Sequence, residues 1–300
     1  MFEYNNTIEL KRLAQLHSMK ISDITIMHEA ERDEAKVDAL KEKMARSLTV
    51  MKSNISAGLS SSTPSLGGLI GTNAKAMHEY QATGNTLSGN IQSKAISYAL
   101  AITEENARMK RIVACPTAGA CGVVPGCLIA ACEVKVIGDD ELTGALFCAS
   151  AIGIIIAHGA SISGAVGGCQ AEVGAASAMA AGALVELTGG SVDECINAAA
   201  IALKNILGLV CDPVGGLVEV PCSKRNAMGV ANAIAAADMA RAGITSVIPL
   251  DEVILAMKQI GQQLPFELKE TSKGGVAVSK TAKEISKEIS KQTAQMFDDK

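Results

Sequence analysis

Hydrophobic residues recur at helical spacing in the first fifty residues of the chain. Leu10, Leu13, Leu16 and Met19 lie three residues apart, with polar and charged residues between them. A second series of the same kind covers residues 24–44, and its charged residues fall on the opposite face. Apolar positions three and four residues apart form one stripe along an α-helix. The pattern therefore predicts two amphipathic helices in this part of the chain.

The middle of the chain has a different pattern, in which small and apolar residues follow one another with few charges. Residues 91–241 form segments rich in Ala, Gly, Ile, Leu and Val, separated by glycine- and proline-containing breaks. Ser191 begins one segment and Glu194 follows three residues later, the pattern of a helix capping box. Residues 53–90, rich in Ser, Gly and Thr, are predicted to form a structured loop, and residues 281–300 a charged terminal helix.

These patterns predict a predominantly helical, all-α fold built from closely packed Gly- and Ala-rich helices. Aromatic residues make up only 2% of the 300 residues, whereas β-sandwiches and barrels use aromatic and β-branched residues freely. The alternative is an α+β fold with short strands at residues 217–222 and 246–253. We expect one domain over residues 1–300, in which residues 1–90 are a helical and loop-rich N-terminal lead-in.

The overall charge and the longest uncharged segment argue against two classes of partner. A formal net charge of −4 provides no basic surface for nucleic acid. Residues 142–171 carry no charged side chain, and this segment exceeds the ~20 residues that span a bilayer. However, His158, Ser161, Ser163 and Gln170 interrupt it, and no Lys or Arg asymmetry flanks it. We therefore expect a buried central helix and no membrane association.

Nine cysteines are unusual for a chain of this composition. Their odd number does not suit a disulfide framework, and the polar N-terminal sequence lacks a signal-peptide pattern, so we expect a reducing, cytoplasmic location. Cys169, Cys211 and Cys222 lie in turn-like sequence, where glycine or proline lets backbone N–H groups approach a sulfur. By spacing alone, buried core thiols remain a better explanation than metal ligands. The other cysteines are expected to pack without a ligand role: Cys115, Cys121, Cys127, Cys132, Cys148 and Cys195.

Four long sequence blocks favour metal ligands over buried core thiols for these three cysteines. They are RIVACPTAGACGVVPGCL (111–128), ASISGAVGGCQAEVGAASAMAAGALVEL (160–187), LKNILGLVCDPVGGLVEVPCSKRNA (203–227) and ETSKGGVAV (270–278). These blocks resemble the iron–sulfur-dependent L-serine dehydratases, and most closely the α chain of the two-subunit form. The resemblance implies that residues 91–280 are a cluster-binding catalytic core.

The resemblance implies a cofactor, a reaction and a partner. In the family, three cysteines hold a 4Fe–4S cluster with one open iron, and their positions correspond here to Cys169, Cys211 and Cys222. An open iron can act as a Lewis acid on the leaving hydroxyl of L-serine, and the implied reaction yields pyruvate and ammonia. The two-subunit members also contain a β subunit, so a heterodimer or a higher oligomer is implied.

Polar residues in and beside these blocks are candidates for binding L-serine or for proton transfer. The substrate-binding candidates are Thr117, Ser161, Ser163 and Arg225. Arg225 offers a two-pronged contact to a carboxylate, and His158 is of a residue type that often transfers protons in enzymes. His158 and Lys273 are the catalytic candidates, although residue type alone does not identify the general base. Glu172 and Glu219 either orient neighbouring groups or are ordinary helix-face charges.

Two other functions remain open at this point. A related cluster-dependent L-cysteine desulfidase would eliminate sulfide by the same route, and a non-catalytic iron–sulfur assembly subunit would hold a cluster without turnover. A pyridoxal phosphate enzyme is disfavoured, because the sequence lacks a strand–loop–helix context for a phosphate-binding loop.

Overall fold

The computed structural model describes residues 1–298, with side chains described for residues 1–291, and this part of the chain is all-α, as predicted. Its thirteen α-helices are α1 (Thr7–His17), α2 (Ile21–Arg32), α3 (Val37–Ser60), α4 (Asn73–Ala82), α5 (Gly89–Ala107), α6 (Val123–Lys135), α7 (Asp139–Gly159), α8 (Gly164–Gly167), α9 (Ala175–Leu187), α10 (Val192–Lys204), α11 (Cys222–Arg241), α12 (Leu250–Gln263) and α13 (Lys280–Asp298). Short 3₁₀ turns lie at Ala118–Ala120, Val214–Gly216, Phe266–Leu268 and Gly275–Val278. The predicted terminal helix is present as α13, and residues 299–300 lie outside the described residues.

The N-terminal region contains three helices where the sequence pattern predicts two. Glu34 adopts a φ of 49°, in the left-handed region, and separates α2 from α3. The chain turns there because the Ala35 N–H donates to the Ala30 carbonyl oxygen at 3.0 Å instead of continuing α2. Helix α3 then extends to Ser60 and α4 covers Asn73–Ala82, so much of the loop predicted over residues 53–90 is helical.

Both segments considered as short strands have other structures, so the α+β alternative is wrong for the described residues. Residues 217–222 form a turn that leads into α11, and residues 246–253 form a bend followed by the start of α12. Pro221 and Pro249 directly precede these helices, a position that suits proline because it cannot donate a backbone hydrogen bond. Within residues 1–298, β-type pairing consists of one isolated parallel bridge between Cys211 and Lys269.

Helix α9 forms the centre of the core. Every residue from Ala175 to Glu186 is buried, and the helix packs against α6, α7, α10 and α11. Small residues allow such close packing elsewhere too: a Cβ added at Gly58 on α3 would lie 2.5 Å from the Ala101 carbonyl oxygen on α5. Tyr4 from the N-terminal lead-in joins the same core with an exposed fraction of 0%.

Two helical segments, Ala118–Lys135 and Asp139–Gly159, are long and apolar enough to cross a membrane by length and composition. In the folded chain, 72% and 61% of their apolar windows are buried against other parts of the protein. This burial is typical of core helices, and it agrees with the expected buried central helix.

The capping box predicted at the start of α10 is confirmed. The Glu194 N–H donates to Ser191 Oγ at 3.2 Å, and the Ser191 N–H donates to Glu194 Oε2 at 2.6 Å. The two bonds satisfy backbone groups that an uncapped helix would leave without partners.

Candidate functional site

Three cysteines from separate segments converge at one point in the structure. Cys169 directly precedes a turn of π-helix, Gln170–Gly174, that leads into α9, a feature often found at functional sites. Cys211 lies between α10 and α11, and its backbone forms the isolated β-bridge with Lys269. Cys222 is the first residue of α11. Each of the three thiols interacts electrostatically with at least one of the others.

The three sulfurs are not all as close together as the ligands of one ion. Among the described side chains, the group of three ligand atoms that all lie within 4.8 Å of one another is a different one, described below. At least one pair among the sulfurs of Cys169, Cys211 and Cys222 is therefore more than 4.8 Å apart. Iron–sulfur clusters are usually held by four cysteine thiolates, so three thiols would leave one cluster position without a cysteine.

Burial keeps these thiols protonated in the absence of a metal. It raises the pKa of Cys169 to about 11 and the pKa of Cys222 to about 12. Burial, followed by the neighbouring Cys169 thiol, also raises the pKa of Cys211. Binding of a metal group must then displace protons, because thiolates are the ligands. Two features favour the charged form: the N-terminus of α11 at Cys222 and the Arg225 guanidinium near Cys169.

Glu172 lies beside the sulfurs, on the π-helical turn. Its Oε2 is 3.9 Å from Cys211 Sγ, and burial raises the pKa of the carboxyl. The Thr117 hydroxyl and the Cys211 thiol act in the opposite direction and lower it. A Cβ added at Gly164 would lie 2.6 Å from Glu172 Oε2 and 3.1 Å from Cys211 Sγ, so only glycine leaves this space open.

Arg225 is fixed next to the thiols by an ion pair. Its Nη1 lies 2.8 Å from Asp212 Oδ1 and donates to the Val210 carbonyl oxygen at 2.8 Å. The guanidinium also interacts with Cys169 and lowers the pKa of that thiol. Asp212 also accepts the Val276 N–H at 2.7 Å through Oδ2, which ties the 270–278 block to the residue after Cys211.

Asn226 joins the turn at residues 116–120 (PTAGA) to α11. This role was not predicted from the sequence. Its Nδ2 donates to the Gly119 carbonyl oxygen at 2.7 Å and to the Cys222 carbonyl oxygen at 2.9 Å. Its Oδ1 accepts the Gly122 N–H at 3.0 Å. The signal available in the sequence was an amide four residues after a predicted ligand, because that spacing places both residues on one helix face.

Gln170 has a similar joining role and was also missed. Its Oε1 accepts the Gly208 N–H at 2.9 Å, and its Nε2 donates to the carbonyl oxygens of Gly167 and Met257 at 2.9 and 3.1 Å. The side chain has an exposed fraction of 0%. It therefore links the loop before Cys169 with the segment before Cys211 and with α12.

Glu219 holds the Ser-rich loop against the segment that carries Cys222. Its carboxylate accepts hydrogen bonds from Ser65 Oγ at 2.6 Å, from the Gly67 N–H at 2.6 Å and from the Leu69 N–H at 3.1 Å. The prediction of a structured loop in this region is thus met between α3 and α4, and Glu219 orients neighbours instead of lying on a helix face.

The other predicted polar residues lie at different distances from the thiols. Ser161 and Ser163 are half-buried in the turn before Gly164, where Ser161 Oγ accepts the Ser163 N–H at 3.1 Å. His158 is exposed and lines a separate cavity of about 770 Å³ together with Met1, His28 and Arg32. Lys273 is exposed, and its Nζ lies 5.5 Å from the centre of the Phe266 ring.

A second group of potential ligands lies on three core helices. Cys148 on α7, Glu186 on α9 and Cys195 on α10 have ligand atoms that all lie within 4.8 Å of one another, close enough to hold a metal ion. The sequence predicts both cysteines as packed core residues, and both are buried. Their proximity to a carboxylate depends on helix packing and was not predicted.

Comparisons with known proteins agree on one family. The family model described as serine dehydratase alpha chain matches residues 16–277. A probable L-serine dehydratase alpha chain of Bacillus subtilis (strain 168) is 49% identical over 286 residues, which cover 95% of each chain. An L-serine dehydratase alpha chain of Peptoniphilus asaccharolyticus is 38% identical over 288 residues, which cover 96% of this chain and 99% of that one.

Longer relatives match as well. An L-serine dehydratase of Streptomyces coelicolor is 40% identical over 280 residues, which cover 90% of this chain and 60% of that protein. The match to the alpha chains covers nearly the whole of both sequences, whereas the match to this longer enzyme covers only part of it. The chain belongs to the serine dehydratase alpha-chain family, whose named enzymes are lyases.

Proposed function

We propose that the chain is the α subunit of an L-serine ammonia-lyase that converts L-serine to pyruvate and ammonia. The observation that carries this proposal is the convergence of Cys169, Cys211 and Cys222 beside Glu172. Membership of the family supports L-serine as the substrate, because the similar alpha chains are named L-serine dehydratases.

The proposed cofactor is a 4Fe–4S cluster held by Cys169, Cys211 and Cys222. Three cysteine ligands leave one of the four irons without a protein ligand. When bound, the cluster supplies a Lewis acid that withdraws the negative charge developing on the leaving hydroxyl oxygen of L-serine. The ion pair of Asp212 and Arg225 fixes two of the ligand segments relative to each other, because it joins the residue after Cys211 to the first turn of α11.

Thr117, Ser161, Ser163 and Arg225 are the proposed substrate contacts. The Thr117 hydroxyl faces Glu172, so it lies at the edge of the thiol group. Arg225 Nη1 already contacts Asp212 and the Val210 carbonyl oxygen. The other guanidinium nitrogens are therefore the proposed contacts for the carboxylate of L-serine. Ser161 orients the turn that presents Gly164 to Cys211.

The proposed assembly includes a β subunit in a cytoplasmic enzyme, with residues 1–300 of this chain as one catalytic domain. His158 and Lys273 stay predictions for proton transfer. His158 lines the cavity beside Met1, and Lys273 lies over the Phe266 ring.

The test is anaerobic purification of the chain with and without its β subunit, followed by iron, sulfide and pyruvate assays. We expect about four irons per chain, and pyruvate from L-serine only in the presence of the β subunit. Cys169→Ser, Cys211→Ser and Cys222→Ser should each lose iron and turnover. Cys127→Ala is the control, because Cys127 is a fully buried core thiol whose sulfur lies 3.9 Å from the Val230 carbonyl oxygen.

The same assay separates the other functions. Sulfide release from L-cysteine at a higher kcat/KM than pyruvate formation from L-serine would indicate a desulfidase. Full iron content without turnover of either amino acid, in the presence of the β subunit, would indicate a non-catalytic subunit. Ligand variants that keep both iron and turnover would contradict the proposal.

A further inference from the structure

Cys148, Glu186 and Cys195 form a buried group that the proposed reaction does not use. The two cysteines have exposed fractions of 0% and 1%, and Glu186 has an exposed fraction of 9%. Glu186 lies eleven residues after Ala175, the first residue of α9, which corresponds to about 16 Å along the helix. The group is therefore separate from the thiols near the other end of α9.

The donor atoms have the spacing of ligands around one ion. All three lie within 4.8 Å of one another. Two thiolates on a tetrahedral zinc ion are about 3.8 Å apart, given Zn–S bonds of about 2.3 Å. The upper limit of 4.8 Å on the distances among the donors of Cys148, Glu186 and Cys195 is therefore close to the spacing of ligands around one zinc ion.

The group has little compensating charge. Among the described side chains, no Lys or Arg forms an ion pair with the buried Glu186, and Lys20 acts on its carboxyl only at longer range. Burial raises the pKa of this carboxyl, and the Cys195 thiol together with burial raises the pKa of Cys148. A bound divalent cation would add positive charge directly at the three donor atoms.

The Glu186 carboxylate is oriented by a neighbouring helix. Both of its oxygens accept the Ser22 N–H at 3.3 Å, at the start of α2. Hydrogen bonds of this kind hold metal-binding carboxylates in position from the second coordination sphere. A carboxylate offers about four acceptor positions, and that of Glu186 also accepts a hydrogen bond from the Cys148 thiol.

An acidic cavity leads from solvent to Glu186. It has a volume of about 640 Å³, and its lining includes Asp23, Glu42, Asp140 and Glu141. Lys20 and Lys41 also line it, so acidic side chains outnumber basic ones. The cavity provides an entry path that attracts cations and space for a water molecule at the metal.

We propose that Cys148, Glu186 and Cys195 form a second metal site, which binds a zinc-type divalent cation with a water molecule from the cavity as the fourth ligand. Two sulfurs and one carboxylate oxygen are ligands that zinc accepts in tetrahedral geometry. The bound ion joins α7, α9 and α10, and thereby stabilises the packing of the central helix. This site is independent of the iron–sulfur cluster in the proposed function.

The test uses the full chain with the three thiols proposed to hold the cluster removed, Cys169→Ser/Cys211→Ser/Cys222→Ser, so that no cluster contributes. The reduced, chelator-treated protein is titrated anaerobically with Co²⁺, which shows thiolate charge-transfer and tetrahedral absorption when bound by cysteines. We expect one equivalent of Co²⁺, displaced by Zn²⁺, and a higher Tm with Zn²⁺. Far-UV circular dichroism verifies the fold of each variant.

Cys148→Ala and Cys195→Ala in this background should abolish the cobalt–thiolate absorption, whereas Cys127→Ala, another buried thiol, should keep it. Glu186→Gln should weaken zinc binding by at least the roughly tenfold that loss of a supporting residue costs. If the background variant does not fold, the wild-type chain is compared with Cys148→Ala and Cys127→Ala. Only Cys148→Ala should then lose one equivalent of cobalt.

Two results would overturn the proposal. One is a folded protein whose cobalt absorption is absent or is unchanged by Cys148→Ala and Cys195→Ala. The other is a Cys148–Cys195 disulfide in anaerobically purified chain, because oxidised sulfurs cannot bind a metal as thiolates.

Discussion

Arg225 and Asp212 form a buried ion pair between two of the segments that carry the converging cysteines, with 2.8 Å between Nη1 and Oδ1. Their side chains are 16% and 2% exposed, so little solvent screens the interaction. Loss of one partner leaves the other charge without compensation in a poorly solvated position. The pair therefore affects both the stability of the chain and the geometry of the thiols.

Asp212→Asn should destabilise the chain by about 3 kcal/mol and reduce the iron content of the anaerobically purified protein. Urea unfolding and iron assays measure the two effects. Asp193→Asn is the control, because the Lys11–Asp193 pair is exposed and should contribute less than about 1 kcal/mol. Equal effects of the two substitutions would show that the buried position of Asp212 has no special importance.

Gly164→Ala should prevent formation of the iron–sulfur site. The added Cβ would lie 2.6 Å from Glu172 Oε2 and 3.1 Å from Cys211 Sγ, so both side chains must move. We expect loss of most of the iron and of pyruvate formation. Gly144→Ala is the matched control, since its Cβ would meet its nearest neighbour, Ser22 Oγ, only at 4.0 Å. A Gly164→Ala protein with normal iron content would contradict the packing described around Cys211.

Glu219→Gln should loosen the loop between α3 and α4. All three groups that contact the carboxylate are donors, so an amide introduces a donor facing a donor and weakens the hydrogen bonds. We expect a loss of about 1.5–3 kcal/mol in the free energy of unfolding, and faster amide hydrogen exchange at Gly67 and Leu69. Ser65→Ala removes the Ser65–Glu219 bond and the bond from the Ile70 N–H at 3.2 Å but leaves the carboxylate that accepts the Leu69 N–H, so it should have a smaller effect on exchange at Leu69.

The metal-free chain should lose stability at alkaline pH. Burial raises the pKa of the Cys132 thiol to about 11 and the pKa of Cys115 to about 12, whereas thiols in an unfolded chain titrate near pH ~8.5. Below that pH both states are protonated and the full stability is present. Above it the unfolded state releases protons that the folded state retains, so the free energy of unfolding falls as pH rises towards the folded-state pKa values.

Urea unfolding of metal-free protein between about pH 7.5 and pH 10 measures this slope, in which each such thiol contributes up to about 1.4 kcal/mol per pH unit. Cys132→Ala should give a shallower slope than the wild type. His17→Ala is a control with no thiol change, and it should leave the slope between about pH 9 and pH 10 unaltered. A slope independent of Cys132 would place the alkaline sensitivity in other groups.

Air should inactivate the enzyme, and ferrous iron with a reductant should restore it. This expectation follows from the open iron in the proposed cluster, which lacks a protein ligand and is the first to be lost on oxidation. Iron content and pyruvate formation are followed during aeration. The Cys222→Ser protein serves as a control that has no cluster to lose, and constant activity through prolonged aeration would contradict the open-iron assignment.

Local interactions made much of the helical architecture predictable from the sequence. The capping box of Ser191 and Glu194 forms within four consecutive residues, and the sequence signal is sufficient because no distant contact is needed. The break at Glu34 was missed, because a single left-handed residue interrupts an apolar series without changing its spacing. The possible strand at 217–222 contains β-formers, but Glu219 and the start of α11 fix it as a turn.

The candidate site was predictable only in part. The cysteines 169, 211 and 222 could be selected through sequence blocks that resemble a family, whereas their spacing alone favours buried thiols. Asn226, Gln170 and Asp212 were not assigned roles, since their partners lie on other segments of the chain. A side chain that joins two loops has no local signature in the sequence.

The sequence by itself determined the helical class, the local caps and the family, because these depend on residue spacing, neighbouring side chains and long matching blocks. Only the tertiary structure decided that Cys148, Glu186 and Cys195 meet, since they lie on three different helices. The closeness of those helices depends on how small residues let them pack around α9. Contact between side chains distant in the chain is a property of that packing.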